Sequence, residues 1–201
     1  MGKAPKFSGD TVFQLTKIPH VYYIITTKQS SEILHHKQHQ TIHRVLQYIR
    51  YDACSDRASL ERELQRLVAQ RFITKEQAEI IDREKILRFF ASDLGTKLRK
   101  HDNVLREFKF SILNDAGQYA YGLDGEKVLL QGVVDCALLE DDGIIVIDFK
   151  TDYVTDDSIE IVVDRYRSQI GAYAEALSRI YQMPVKDKYL YLFHLDRFVQ
   201  V

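Results

Sequence analysis

Residues 35–100 carry apolar side chains at helical spacing. Ile42, Val45, Leu46 and Ile49 follow the i, i+3, i+4, i+7 pattern, which is typical of one buried helix face. Similar stripes follow at Leu60, Leu64, Leu67 and Val68, at Ile80 and Ile81, and at Ile86, Leu87, Phe89 and Phe90. Thr74 and Gln77 form a capping box that predicts a helix start, and Gly95 predicts a stop or a kink. The segment therefore predicts several helices packed on a core.

From residue 104 onwards the pattern is that of strands. VLREFKFSIL (104–113) alternates, which places Leu105, Glu107, Lys109 and Ser111 on one side and Val104, Arg106, Phe108 and Phe110 on the other. The apolar runs VLLQGVVDCALL (128–139) and GIIVIDFK (143–150) predict buried strands joined by a tight turn at EDDG (140–143). A helix from about Ser158 to Gln182, ended before Pro184, precedes a last strand at 189–195.

The order of these elements predicts an α/β fold, a mixed sheet flanked by helices with a helical N-terminal portion. VYYIITT (21–27) has strand composition, but residues 1–34 are otherwise poorly readable. We expect residues 1–34 to form a loosely attached N-terminal arm, and residues 35–201 to form one domain.

Composition excludes several classes of protein. The chain has 28 Lys and Arg against 29 Asp and Glu, and 45% of its 201 residues are hydrophobic, which is ordinary for a globular domain and too apolar for a disordered one. Two cysteines cannot make a disulfide framework or a four-cysteine metal site. Neither an export signal nor a stretch of 18 apolar residues is visible, so a cytoplasmic protein without membrane contact is expected.

Each of the two apolar strands carries one aspartate. A hairpin centred on the EDDG turn pairs residues whose numbers add to 283, which sets Asp135 opposite Asp148. Opposed residues have Cβ atoms roughly 4.5–5.5 Å apart, and two buried carboxylates at that distance need a cation between them. Oxygen ligands on a rigid sheet favour Mg²⁺ or Mn²⁺ over zinc.

Lys150 lies two residues after Asp148 and so projects to the same face of the strand. Two carboxylates, a divalent metal and an ammonium group can together hydrolyse a phosphodiester bond. The alternative is an exposed salt bridge between Asp148 and Lys150, which the second aspartate makes less attractive. Glu107, in REFKF, is either a further acid of the same cleft or an exposed strand residue paired with Arg106 or Lys109.

Other polar residues are open to two interpretations. Gln169 and Tyr173 share one helix face, with Arg165 one turn earlier. They can either grip a nucleic-acid backbone or simply pack and face solvent. His35, His39 and His43 are spaced for a zinc site on a helix, but no glutamate of an H-E-x-x-H motif accompanies them, so one histidine completing a carboxylate site is the better interpretation.

Charge is segregated along the chain. Residues 62–109 hold 12 Lys and Arg against 8 Asp and Glu, whereas residues 135–160 hold 1 against 9. A basic helical region beside an acidic hairpin suits a polyanionic substrate, and the alternative is an ordinary solvated surface.

Together these residues resemble the PD-(D/E)XK nuclease superfamily, and in particular the C-terminal nuclease domain of AddA (RexA), a RecB-like component of bacterial ATP-dependent helicase–nucleases. The segments that carry the resemblance are TIHRVLQYI, REFKF, QGVVD, VIDFKTD, YRSQIGAYAEAL and PVKDKYLYLF. One departure is that relatives show G-T-x-x-H, whereas His39 and Gln40 stand where Gly-Thr is usual.

The resemblance implies roles for particular residues. His43, Asp135 and Asp148 would be metal ligands together with the Phe149 carbonyl, Lys150 and Glu107 would be catalytic, and Gln169 and Tyr173 would form the motif after the catalytic strand. It implies a restriction-endonuclease-like core and Mg²⁺-dependent cleavage of DNA, as an exonuclease or an endonuclease, with Mn²⁺ able to substitute.

The resemblance also implies partners. These are DNA, in single-stranded form, a superfamily 1 helicase motor in the same polypeptide, and a second subunit of the AddB/RexB type, with a role in double-strand-break repair and recombination. No G-x-x-x-x-G-K-[ST] loop occurs, so no ATP site of that kind is expected here. Two alternatives remain, a DNA-docking module of the same fold with weak catalysis, and a zinc-dependent hydrolase using His35, His39 and His43.

Overall fold

The computed structural model describes the backbone of residues 16–18, 21–25, 33–118 and 121–201, and the side chains of residues 40–117 and 121–201. Its helices are α1 (Ile33–Tyr48), α2 (Arg57–Ala69), α3 (Lys75–Ile80), α4 (Arg83–Ala91), α5 (Asp93–Lys100) and α6 (Ile159–Tyr181). Its strands are β1 (Thr16–Ile18), β2 (Val21–Ile25), β3 (Val104–Asp115), β4 (Lys127–Glu140), β5 (Gly143–Lys150), β6 (Val185–Leu192) and β7 (Arg197–Gln200).

All seven strands of the described residues belong to one mixed sheet. The hydrogen-bonded order is β1-β2-β4-β5-β6-β7, and β3 also pairs with β4. The β2–β4 and β5–β6 pairs are parallel, and the other pairs are antiparallel. Helices α1 to α5 contribute to one buried cluster with the sheet, and α6 contributes to a second. Helices therefore flank the sheet on both faces, as expected for the predicted α/β class.

Strand β4 lies at the centre of the sheet, and its two edges pair with different strands. One edge pairs with β3 between residues 127 and 138. The other edge must therefore hold both β2, at residues 127–131, and β5, at residues 136–140. Between them lies a short stretch, residues 132–135, which pairs on that edge with no strand of the described residues, and Asp135 is at its end. The sheet thus opens beside a carboxylate that the hairpin pattern singles out.

Local patterns predicted most elements in residues 35–201. The stripe of Ile42, Val45, Leu46 and Ile49 is buried, and Thr74 and Gln77 form the predicted capping box. The hairpin between β4 and β5 has the predicted register, since Cys136 lies opposite Ile147. The last predicted strand is displaced, because β6 begins at Val185, directly after the proline, and ends at Leu192.

Gly95 neither stops nor kinks a helix, so that prediction was wrong. It lies in the first turn of α5, where its N–H donates to the Ser92 hydroxyl at 3.0 Å. A Cβ added here would lie only 1.9 Å from the carbonyl oxygen of Phe89 in α4. Glycine therefore serves the tight corner between α4 and α5, and this requirement is invisible in helical periodicity.

The N-terminal segment supplies part of the sheet. Strand composition predicted a strand in residues 21–27, and Val21–Ile25 pairs in parallel with β4. This described part thus pairs with the sheet. The other residues between 1 and 32, apart from 16–18, lie outside the described part of the chain, and the division into an arm and a domain stays a prediction. Among the described residues, no helix has the length and apolar character needed to cross a membrane.

A buried glutamate links α1 to α2. Glu63 is 1% exposed and accepts hydrogen bonds from Arg50 Nε at 2.9 Å and from Arg66 Nη2 at 2.8 Å. Burial alone opposes ionisation of Glu63, but the hydrogen bonds from Arg66 and Arg50 outweigh it and lower the pKa of this carboxyl to about 2. The ionised form of Glu63 is therefore more favourable in the folded state than in the unfolded chain.

We expect Glu63→Gln to lower the free energy of unfolding by about 2–3 kcal/mol at pH 7. Because the folded pKa is depressed, this stabilisation is complete above the ordinary glutamate pKa and is lost as the pH falls from about 4.5 towards 2. Urea denaturation of both proteins at several pH values measures it, with exposed Glu79→Gln as the control. A difference that stays constant down to pH 2 contradicts the assignment.

Candidate active site

Asp135 lies where strands β4 and β5 separate. The ladder between them runs from the turn to the pair Cys136 and Ile147 and ends there. One residue further, Asp135 Oδ2 accepts a hydrogen bond from the backbone N–H of Phe149 at 2.8 Å. A buried N–H beyond the end of a ladder needs another acceptor, and the Asp135 carboxylate provides it. This bond holds a 2% exposed carboxylate at the opening of the sheet.

His43 and Glu107 meet Asp135 at this opening. His43 Nδ1 is 3.2 Å from Glu107 Oε1 and 3.5 Å from Asp135 Oδ1. If each of the three residues offers one ligand atom, these three atoms all lie within 4.8 Å of one another. His43 comes from α1, Glu107 from β3 and Asp135 from β4, so three separate elements build this cluster. We call it the acidic cluster.

The backbone at Glu107 explains how this side chain reaches the cluster. Its φ is +47°, a left-handed conformation that a non-glycine residue adopts rarely. Before Glu107, the side chain of Leu105 packs in the hydrophobic core on the α6 side of the sheet. After Glu107, Phe108 and Phe110 pack in that same hydrophobic core. The alternation of sides thus shifts by one position at Glu107. The prediction of one unbroken alternation through 104–111 was wrong, because a period of two assumes regular strand dihedrals throughout.

Asp148 and Lys150 face helix α6. Lys150 Nζ lies 2.6 Å from Asp148 Oδ2 and donates to Gln169 Oε1 at 3.1 Å. Gln169 Nε2 in turn donates to the Tyr173 hydroxyl at 2.7 Å. All four residues are at least 95% buried. The ion pair is therefore not the exposed salt bridge that the sequence left open as an alternative.

The helix α6 adds residues that sequence reasoning missed. The Tyr166 ring centroid lies 3.5 Å from Lys150 Nζ, a cation–π contact. Burial raises the pKa of Tyr166, so its hydroxyl stays protonated and donates to Asp152 at 3.3 Å. Arg165, predicted on this face, is half-buried one turn before Gln169. The sequence signal that could have identified Tyr166 was its position three residues before Gln169 in the same helix.

The remaining predicted residues are placed as follows. Phe149 contributes its N–H to Asp135, and its ring lies 6.0 Å from that of His43, edge to face. The side chains of His35 and His39 lie outside the described residues. Both cysteines are free, and burial raises the pKa of each thiol, Cys54 and Cys136, to about 12, so neither is an activated nucleophile.

The donor atoms of the acidic cluster fit a hard divalent cation. Glu107 and Asp135 contribute carboxylate oxygens, and His43 contributes an imidazole nitrogen. Carboxylate oxygens are the ligands that Mg²⁺ and Mn²⁺ prefer, and a cation offsets the mutual repulsion of two carboxylates in a buried place. Asp148 is outside this group of three, and its carboxylate is paired with the Lys150 ammonium.

Comparison with known proteins gives one consistent result. The sequence model of the PD-(D/E)XK nuclease superfamily matches residues 26–199. The A subunit of an ATP-dependent helicase/nuclease from Clostridium botulinum (strain 657 / Type Ba4) is 39% identical over 165 residues, which are 80% of this chain and 13% of that protein. The corresponding protein from Alkaliphilus oremlandii (strain OhILAs) is 39% identical over 163 residues, which are 80% of this chain and 14% of that protein.

Among solved structures, the crystal structure of SSO0001 covers 92% of this chain and 68% of that chain, with a TM-score of 0.39 and 16% identity. The chain spans about an eighth of the length of the curated relatives it matches. The family match, in contrast, extends over nearly the whole sequence and includes every residue of the acidic cluster and of the Lys150 network. The chain belongs to the PD-(D/E)XK nuclease superfamily.

Proposed function

We propose that this chain is a DNA nuclease that hydrolyses phosphodiester bonds with Mg²⁺, or with Mn²⁺ in its place. The observation that carries the proposal is the pairing of two polar groups at one opening of the sheet. The acidic cluster of His43, Glu107 and Asp135 is joined to the strand of the buried pair Asp148 and Lys150, because Phe149, which stands between these two residues, donates its N–H to Asp135. Carboxylates with an ammonium group next to them are suited to cutting a polyanion.

The cation would be held by His43, Glu107 and Asp135, with Asp148 and the Phe149 carbonyl as the further ligands that the family resemblance implies. A divalent ion bound there supplies Lewis acidity, which lowers the pKa of water and offsets charge on the phosphoryl oxygens. The hydrogen bond from Phe149 N–H to Asp135 fixes the orientation of one carboxylate, and this leaves its other oxygen directed towards His43.

Lys150 would stabilise the charge that develops on the phosphate. Its ammonium group has three N–H donors; one donates to Gln169 Oε1, and Nζ also lies 2.6 Å from Asp148 Oδ2 in an ion pair. These two acceptors hold Nζ in place, and Gln169 is itself held by Tyr173. A donor fixed in advance in a buried site stabilises developing negative charge more than a mobile one in water does. The chain of Asp148, Gln169 and Tyr173 therefore positions Lys150.

We infer the wider setting from the relatives. The helicase/nuclease A subunits from two organisms are each 39% identical to this chain, so we propose that it acts as the nuclease part of such a protein. In that setting a superfamily 1 motor in the same polypeptide would deliver single-stranded DNA, a protein of the AddB/RexB type would be the partner, and the cytoplasm would be the location. Its role there would be the processing of double-strand breaks for repair and recombination.

The test compares the purified protein with its Asp148→Ala variant on single-stranded DNA, in Mg²⁺, in Mn²⁺ and in EDTA. We expect cleavage in either metal, no cleavage in EDTA, and a loss of about a thousandfold or more in the variant, since several kcal/mol of charge stabilisation disappear. Exposed Asp156→Ala is the control. If calorimetry detects no Mg²⁺ binding and no DNA is cut, the proposal is wrong; metal-independent cutting would also contradict it.

A further inference from the structure

A basic groove opens on the flank of helix α1, at the residue that follows His43 of the acidic cluster. It is a cavity of about 380 Å³ lined by Arg44, Val68, Arg71, Phe72, Ile73, Thr74 and Gln77. Arg44 directly follows His43 along α1, about 100° further around the helix. The groove therefore begins within one residue of a side chain that we assign to the metal.

The two arginines of the groove have no acidic counterpart in the part of the chain that the structure describes. Among the described residues, neither Arg44 nor Arg71 forms an ion pair or a side-chain hydrogen bond, and no acidic side chain lines the cavity. Both arginines are exposed. Most other arginines of the helical layer differ, because Arg50, Arg57, Arg66, Arg83 and Arg88 are each paired with a carboxylate. Within the described residues, the groove thus holds two arginines without the carboxylate partner that these five have.

The backbone at Arg71 is a second, independent observation. Arg71 follows the C-cap of α2 with a φ of +62°, at the position that glycine most often occupies after a helix. A side chain there is strained, so stability alone favours glycine. Strain of this kind often accompanies a functional side chain. The arginine at this place is one of the residues that line the cavity.

A neutral donor of fixed orientation completes the groove. Gln77 Oε1 accepts from the Thr74 N–H at 2.9 Å, and the Thr74 hydroxyl accepts from the Gln77 N–H at 3.1 Å. The capping box therefore uses the oxygen of the Gln77 amide and leaves its NH₂ group as a donor. Two guanidinium groups and an amide NH₂ group match a phosphate, which accepts several hydrogen bonds and carries negative charge.

We propose that this groove binds a backbone phosphate of the DNA strand that is being cut, next to the scissile phosphodiester. The inference rests on the proposed nuclease function and adds a substrate-binding subsite to it. A phosphate held beside His43 would keep the strand in register with the acidic cluster.

The test measures binding of a fluorescein-labelled single-stranded oligonucleotide by anisotropy, in EDTA, over a range of salt concentrations. We expect Arg44→Gln and Arg71→Gly each to raise the Kd about 5–10-fold at low salt, and to reduce the slope of log K against log salt by about 0.7 for each phosphate interaction removed. Arg71→Gly is the sharper variant, since relief of strain keeps its melting temperature equal to or above that of the wild type.

Two matched controls separate charge from backbone effects. Gln182→Gly changes another left-handed helix cap, at φ +55°, and Arg57→Gln removes an arginine that is paired with Glu84. Neither is expected to change the Kd. An unchanged Kd and salt slope in both groove variants overturns the subsite, whatever the nuclease activity is, and leaves an acidic protein segment as the occupant to examine. Because the assay contains no metal, it gives this answer even if the protein cuts no DNA.

Discussion

Replacing Asp135 with asparagine is expected to abolish metal-dependent cleavage while the protein stays folded. Asparagine keeps an oxygen that can accept the Phe149 N–H, now at 2.8 Å from Asp135 Oδ2, but it removes the negative charge that attracts the cation. We expect the rate to fall about a thousandfold or more, equivalent to about 4 kcal/mol of lost transition-state stabilisation. Single-turnover cleavage of DNA at saturating Mg²⁺ measures this loss.

The melting temperature provides a second test of the role of Asp135 as a metal ligand. Without metal, Asp135→Asn relieves repulsion between Glu107 and Asp135, so its melting temperature is expected to equal or exceed that of the wild type. Added Mg²⁺ raises the melting temperature of the wild type, because a ligand that binds only the folded state stabilises it, and it leaves the variant unchanged. Exposed Asp164→Asn is the control. Metal-dependent stabilisation that persists in Asp135→Asn contradicts the assignment of Asp135.

Replacing Lys150 with alanine is expected to damage both activity and stability. The ammonium group is the ion-pair partner of Asp148, whose side chain is fully buried, at 2.6 Å. Removing one member of a buried pair leaves an uncompensated charge and costs about 3–5 kcal/mol. Urea denaturation measures this loss, and cleavage of DNA is expected to fall at least as far as in the Asp148 variant.

A double variant distinguishes the two effects of Lys150. Asp148→Asn combined with Lys150→Met removes both buried charges and keeps similar volumes, which is often neutral for stability. We expect the free energy of unfolding to return to near the wild-type value, whereas cleavage stays absent. If the double variant regains activity, Lys150 has no catalytic role. If Lys150→Ala alone is as stable as the wild type, the buried ion pair does not exist in solution.

Local sequence patterns were sufficient for the hairpin that carries the two aspartates. The turn at Glu140 to Gly143 fixed the register, and the structure pairs Cys136 with Ile147 as that register requires. Register follows from a short loop because few residues separate the two strands. The residues at the next position, Asp135 and Asp148, were therefore identifiable from the order of residues alone, as was the shared helix face of Gln169 and Tyr173.

The local conformation of Glu107 and the corner at Gly95 could not be predicted in the same way. Strand alternation assumes regular dihedrals, and the left-handed Glu107 breaks that assumption at one residue. Helical propensity marks glycine as a breaker, yet Gly95 lies inside a helix because the carbonyl of Phe89 approaches it closely. Both features depend on neighbours that a short sequence window does not contain.

By itself, the sequence determined the helices, the strands, the paired aspartates and the family, because periodicity, capping and hairpin register are set by interactions between residues close along the chain. Only the tertiary structure decided that His43 meets Glu107, 64 residues away, that Asp148 pairs with Lys150 while Asp135 joins the acidic cluster, and that β2 and β5 share one edge of β4. These contacts depend on packing between distant segments, and local preferences do not specify which distant residues meet.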